Sequence, residues 1–170
     1  MRAAALALLL VACGEGRVDG SVYRVPIGAA PYHVNLDAAE VLREDIEAVT
    51  AEYNAQAPCP LFVLDHPGVP KLRLDANNET YWDRSALGMT LGEPGTEVTI
   101  LIREVLKDWS EIRPLLVHEL GHALGAGHVD DKASVMYPHA VSGISVAAGV
   151  AQVLDIIDVK CGQRTIKEDR

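Results

Sequence analysis

Basic residues are what this chain is short of. Fifteen Lys and Arg stand against 24 Asp and Glu, leaving a formal net charge of −9 at pH 7. A nucleic-acid binder needs a basic stripe to displace phosphate counterions, and an electrostatic hold on anionic lipid needs the same. Both classes are set aside. Long hydrophobic runs are lacking too. The unbroken apolar stretch from Ala3 to Ala12 is too short to span a bilayer. There is no repeat and no low-complexity segment, so 170 residues with 49% hydrophobic and 23% charged side chains describe one globular domain. Cysteine is sparse, at three residues, and histidine totals six.

What is present begins with a separate object. MRAAALALLLVAC carries one cation at Arg2, then the apolar run, then Cys13. The run suits the core of a secretory signal. Its end, Leu10-Val11-Ala12-Cys13, resembles the bacterial lipoprotein signal, in which the cysteine is lipidated and becomes the mature N-terminus. That resemblance implies a signal peptide over 1–12, a lipidated tether over 13–20 and a catalytic domain over 21–165. An ordinary signal peptide, or a buried first segment with a chance cysteine, is the plainer alternative. With Cys13 acylated, Cys59 and Cys161 remain as an even pair in an oxidising compartment. They are either bridged or two buried thiols.

Along the rest of the chain, VYRVPI (22–27) and PYHVNL (31–36) read as strands. Asp37 with Glu40 three residues later makes a capping-box-like start. Behind it Leu42, Ile46, Val49 and Tyr53 fall on one face, which predicts a helix over 38–55 that ends at APCP. LFVLD and KLRLD read as strands, and ANNETYWDRS as a loop. ALGMTLG and EVTILI flank Glu93-Pro94-Gly95-Thr96, which predicts a hairpin with a type II turn. SEIRPLLVHELGHALG repeats its apolar residues every three or four positions and predicts a helix, with Pro114 tolerated near its start. VAAGVAQVLDIIDVK predicts a last helix. The order points to an α+β fold with a mixed sheet and segregated helices.

Three of the six histidines stand in HELGHALGAGH, His118 to His128. Four residues apart on a helix, His118 and His122 face one ion. Gly125 falls where a helix ends on a left-handed residue, a conformation glycine adopts without Cβ strain. The chain can then reverse and bring His128 in as a third ligand. Three neutral imidazoles leave a zinc ion its double charge and one position open for water. Glu119, beside the first ligand, is placed to take a proton from that water. A purely structural zinc site has no use for this carboxylate. The implied reaction is attack of an activated water on a peptide carbonyl, Glu119 then passing the proton to the departing amine.

The motif HExxHxxGxxH, followed by Ser134-Val135-Met136-Tyr137-Pro138, resembles the long zinc signature and Met-turn of the metzincin metalloproteases. The close spacing and the Met-Tyr-Pro ending are similar to the matrixins, including small bacterial matrixin-like proteases. The resemblance implies a zincin-like catalytic domain: a twisted mixed five-stranded sheet with an edge strand, two long helices and a C-terminal helix. It implies one catalytic zinc on His118, His122 and His128, Glu119 as general base and acid, and Met136 as the apolar floor under the metal. It makes Gly88, Met89 and Thr90 part of the edge strand that pairs with an extended substrate. The partners implied are protein or peptide substrates, with membrane contact only through the lipid anchor and a monomeric enzyme outside the cytoplasm, on the outer membrane or cell surface, or else secreted.

The chain also departs from the family. Val129 follows the third histidine, where several metzincin groups carry a more diagnostic residue. Pro138 stands where astacins and serralysins have a tyrosine that approaches zinc, so no tyrosine ligand is assigned. There is no PRCGxPD-like cysteine switch, and Asp19 reads as a tether residue. His33, His66 and His139 read as surface or satisfied histidines, and Asp75, Asn77, Asn78 and Glu79 as a solvated loop, so neither calcium nor a structural zinc is predicted. A different class of reading, a zinc-binding but inert lipoprotein that serves as a binding module, leaves Glu119 without a purpose.

Overall fold

The computed structural model describes residues 23–25, 31–38, 40–64, 71–75, 87–92, 94, 97–103, 111–139 and 143–159. The 1–20 segment with Cys13 and Asp19, residues 76–86, His66, Glu93, Gly95 and Thr96 of the predicted turn, and Cys161 lie outside the described residues.

Strands β1 (Tyr23–Val25) and β2 (Tyr32–Ala38) precede helix α1 (Arg43–Gln56); β3 (Phe62–Leu64), β4 (Lys71–Asp75), β5 (Gly88–Leu91) and β6 (Val98–Ile102) follow it, then helices α2 (Ile112–Ala123) and α3 (Val146–Ile156), then β7 (Ile157–Val159). Five strands form one sheet in the order β3-β2-β4-β6-β5. Its first four are parallel neighbours, and β5 runs antiparallel to β6 at the edge. Parallel neighbours need long crossovers. The link between β2 and β3 is α1. Only β5 can be reached through a short connection, and Gly92, at φ 114°, starts that reversal in the left-handed region.

Helix α1 starts later than Asp37 predicts. β2 runs on through Asp37 to Ala38, where it still pairs with Asp75 across a register shift, and a 3-10 turn at Glu40–Leu42 leads into the helix. The cap position is Leu42, with no side-chain cap, so sheet pairing has displaced the capping box. Ile46, Val49, Thr50 and Tyr53 form its buried stripe. The helix ends because Pro58 disfavours helical geometry at Ala57, whose ψ is 155°. Asn54 then ties the last turn to β3. Its Oδ1 accepts from Leu61 N–H at 2.7 Å and Phe62 N–H at 3.0 Å, and its Nδ2 donates to Phe62 O at 2.8 Å.

The last helix is shorter than predicted. Ile157-Asp158-Val159 leaves α3 as β7 and pairs in parallel with β1, a small second sheet joining the two ends of the domain. β-branched residues suit that pleat better than a fourth helical turn. The core lies between the large sheet and the helices. Tyr53 meets the chain's one phenylalanine, Phe62, edge-on with centroids 5.4 Å apart. Among the described residues, no helix is long and apolar enough to cross a membrane.

Candidate metal centre

Helix α2 is buried on nearly every side. Ile112, Pro114 through Gly121 and Ala123 are all out of solvent, and two of them, His118 and Glu119, are polar. Apolar neighbours cannot satisfy those two, so the structure supplies specific partners.

The helix stops in a Schellman arrangement. Ala126 N–H donates to Gly121 O and Gly125 N–H to His122 O, each at 2.9 Å, while Gly125 takes φ 97°. This is the turn that the glycine predicts. The chain folds back and brings His128 against the helix. The Nε2 atoms of His118, His122 and His128 come within 3.0, 3.1 and 3.3 Å of one another.

Their protonation follows from their other ring nitrogens. His118 Nδ1 lies 2.7 Å from Val135 O, and His122 Nδ1 lies 2.7 Å from Ala126 O. A carbonyl only accepts, so each Nδ1 carries the hydrogen and each Nε2 presents a lone pair. Burial, aided by the neighbouring rings and opposed by the hydrogen bond to Val135, pushes His118 down to about 3. Burial also lowers His122 to about 4, against the hydrogen bond to Ala126. Both are neutral at physiological pH, the form that binds metal. Lone pairs facing one another with no hydrogen between them repel, and a cation at their common point reverses that. Tetrahedral zinc with nitrogens at ~2.05 Å sets them about 3.3 Å apart. The donor set fits zinc.

The loop behind the third histidine is equally tied. Val129 N–H donates to Met136 O at 3.1 Å, and Ser134 N–H to Asp131 O at 2.9 Å. Gln152 of α3 accepts from Val135 N–H at 2.8 Å. Val135 therefore links α3 on one side to His118 on the other. Met136 is fully buried, and a Cβ at Gly121 would stand 2.9 Å from its Sδ. Tyr137 turns to His139, with ring centroids 5.3 Å apart, and His139 is exposed.

Glu119 has no exposed surface and lies beneath β5. Thr90 Oγ1 donates within 2.7 Å of its Oε2, with Glu119 O the alternative acceptor at 3.0 Å. From below, Tyr53 O–H donates to Val117 O at 2.8 Å, bracing α2 one residue before the first histidine, and burial raises that phenol's pKa. Gln152, the bond from the Tyr53 hydroxyl to Val117 and the Gly121–Met136 contact were not singled out from the sequence. The period-2 alternation of β5 does place Gly88 and Thr90 on one face, and that signal was available. Cys59 is disulfide-bonded.

A three-histidine centre split between a helix and the turn after it, backed by a methionine loop and set beside a sheet edge, is the architecture of a metzincin. The class is thus that of zinc metalloproteases. A family model described as matrixin matches residues 33–147, more than half of the chain, and the chain belongs to the matrixin family. No curated protein matches it.

Proposed function

We propose that this matrixin is a zinc-dependent endopeptidase that hydrolyses peptide bonds of proteins or peptides outside the cytoplasm. His118, His122 and His128 hold the zinc, and Glu119 is its general base. The convergence of three Nε2 atoms, with two of the rings held through Nδ1 by backbone carbonyls, is the observation that carries this reading.

When bound, zinc supplies Lewis acidity that polarises the substrate carbonyl and brings the pKa of water toward ~7. The chain's own groups do the rest. β5, the sheet edge, offers its backbone to an extended peptide, including at Gly88, Met89 and Thr90. Glu119 takes one proton as the water oxygen attacks the carbonyl carbon. It returns that proton to the amine nitrogen as the C–N bond breaks. The backbone hydrogen bonds of His118 and His122 keep both rings in the ligating tautomer throughout.

Glu119→Gln should lower kcat by about 10²–10⁴-fold with zinc content and thermal stability retained. Cleavage at the parent rate, with zinc loaded, would refute the mechanism.

The reading extends to placement. Cys13 is lipidated after removal of 1–12, anchoring a monomer through the 13–20 tether, and the disulfide of Cys59 is closed by Cys161. Mass spectrometry of the unreduced protein from its native membrane should find a diacylated or triacylated Cys13 peptide and a Cys59–Cys161 cross-linked peptide. A Cys13–Cys59 cross-link would overturn both assignments together.

A further inference from the structure

We propose that Gly88 and Thr90 together form a seat for the Glu119 carboxylate, so that both are positioning residues for the general base. The inference rests on the assignment of Glu119 above and adds to it.

The two residues share the inward face of β5, opposite Ile102 and Ile100 of β6, while Met89 between them faces the other way. Each acts on a different part of the glutamate. Thr90 offers one hydroxyl hydrogen, and the shorter of its two contacts is to Oε2, a charge-assisted bond to a carboxylate with no access to solvent. Gly88 acts by having no side chain. A Cβ there would stand 2.5 Å from Oε1 and 2.9 Å from both Cδ and Cγ, so the carboxylate occupies the space a side chain would fill. A glutamate has three rotatable bonds, and this pair of constraints selects one arrangement of them.

The consequence concerns register. The strand that offers its outer edge to the substrate backbone holds the base with its inner face. A displacement of β5 moves both in the same direction, which preserves the spacing on which proton transfer depends. Thr90 and Gly88 therefore act on the chemical step rather than on substrate affinity.

The test uses the zinc-loaded full chain with Thr90→Val, which keeps the shape and removes the hydroxyl, Thr90→Ser, which keeps the hydroxyl, and Gly88→Ala. Thr90→Val should lower kcat about tenfold to a hundredfold, the effect of losing a hydrogen bond to a charged group, with KM and zinc stoichiometry unchanged. Thr90→Ser should recover most of that loss, and Gly88→Ala should lower kcat at least as far. A second readout needs no turnover: Thr90→Val should lower Tm further in the parent than in a Glu119→Ala background, where only the main-chain oxygen of residue 119 remains as acceptor. Parental kcat in Thr90→Val, a loss confined to KM, or an equal fall in Tm in both backgrounds would overturn the seat. If the parent cleaves no peptide, the assignment of proteolysis fails, and the Tm cycle alone decides whether Thr90 holds the carboxylate. Should Gly88→Ala fail to fold, the Thr90 pair still decides.

Discussion

Helices α1 and α2 are similar in length but belong to different kinds of environment. α1 buries a stripe, Ile46, Val49, Thr50 and Tyr53, and leaves its other side to water. Its one buried polar side chain that is not aromatic, Thr50, is satisfied within the helix, by Ile46 O at 2.7 Å. α2 is enclosed and carries His118 and Glu119 inside, each served by a partner distant in sequence: Val135 for the ring, Thr90 for the carboxylate. A stripe needs only apolar neighbours of about the right volume. An enclosed helix with polar cargo needs particular atoms at particular places, and errors there fall on chemistry before they fall on folding.

The largest effect should come from emptying the centre around α2. Chelation should abolish cleavage and lower Tm, since an ion that binds only the folded state stabilises it by mass action. In the metal-free protein, His118 and His122 have folded pKa values of about 3 and 4 against an ordinary 6.5. Between those limits the unfolded chain binds more protons, so stability rises with pH. The contribution is complete above about pH 6.5 and is lost as pH falls toward 3–4, which urea titrations across that range would measure. A pH-independent apo stability would break the distinction between the helices.

Paired substitutions sharpen it. Ile46→Ala on α1 should cost about 2–5 kcal/mol of stability, with zinc affinity and kcat intact in the folded fraction. Gly121→Ala on α2 drives a Cβ to 2.9 Å from Met136 Sδ and 3.2 Å from Val153 Cγ2, and should cost less, about 1–3 kcal/mol. It should nonetheless weaken zinc affinity, because Met136 and the Val135 carbonyl on His118 belong to one loop. Denaturant melts together with chelator competition separate the two outcomes. If Ile46→Ala weakened zinc binding as much as Gly121→Ala, the contrast would be false.

The smallest effect belongs to the surface ion pair between the helices. Arg113 Nε donates to Asp45 Oδ1 at 2.7 Å, but both side chains are partly exposed. Arg113→Ala should change stability by no more than about 1 kcal/mol, and less in high salt, as read from Tm at two ionic strengths.

Much of this was legible in advance wherever the cause was local. The i, i+4 spacing of His118 and His122 is a property of any helix, and Gly125 was bound to end it because few other residues accept φ 97°. β5 was readable as one arm of a hairpin, while its place at the sheet edge was implied only by the resemblance to the metzincins. Where a boundary was set by pairing with a distant strand, local signals lost. Asp37 has the chemistry of a helix cap and yet sits in β2, and Ile157-Asp158-Val159 reads as helix and yet forms β7. Backbone pairing across the sheet offers more than one side-chain cap can.

Periodicity and residue type, acting over a turn or two of chain, were thus enough to put His118, His122 and Glu119 on one helix, and to nominate the glycine that turns the chain and the apolar stripes. They carried no information on which carbonyl would face His118, which hydroxyl would reach Glu119, or that Gln152 would grip the Met136 loop. Those contacts span 17 to 29 residues and exist only once sheet and helices have packed. Short-range preference can nominate a ligand, but its orientation is set by atoms that folding brings from elsewhere in the chain.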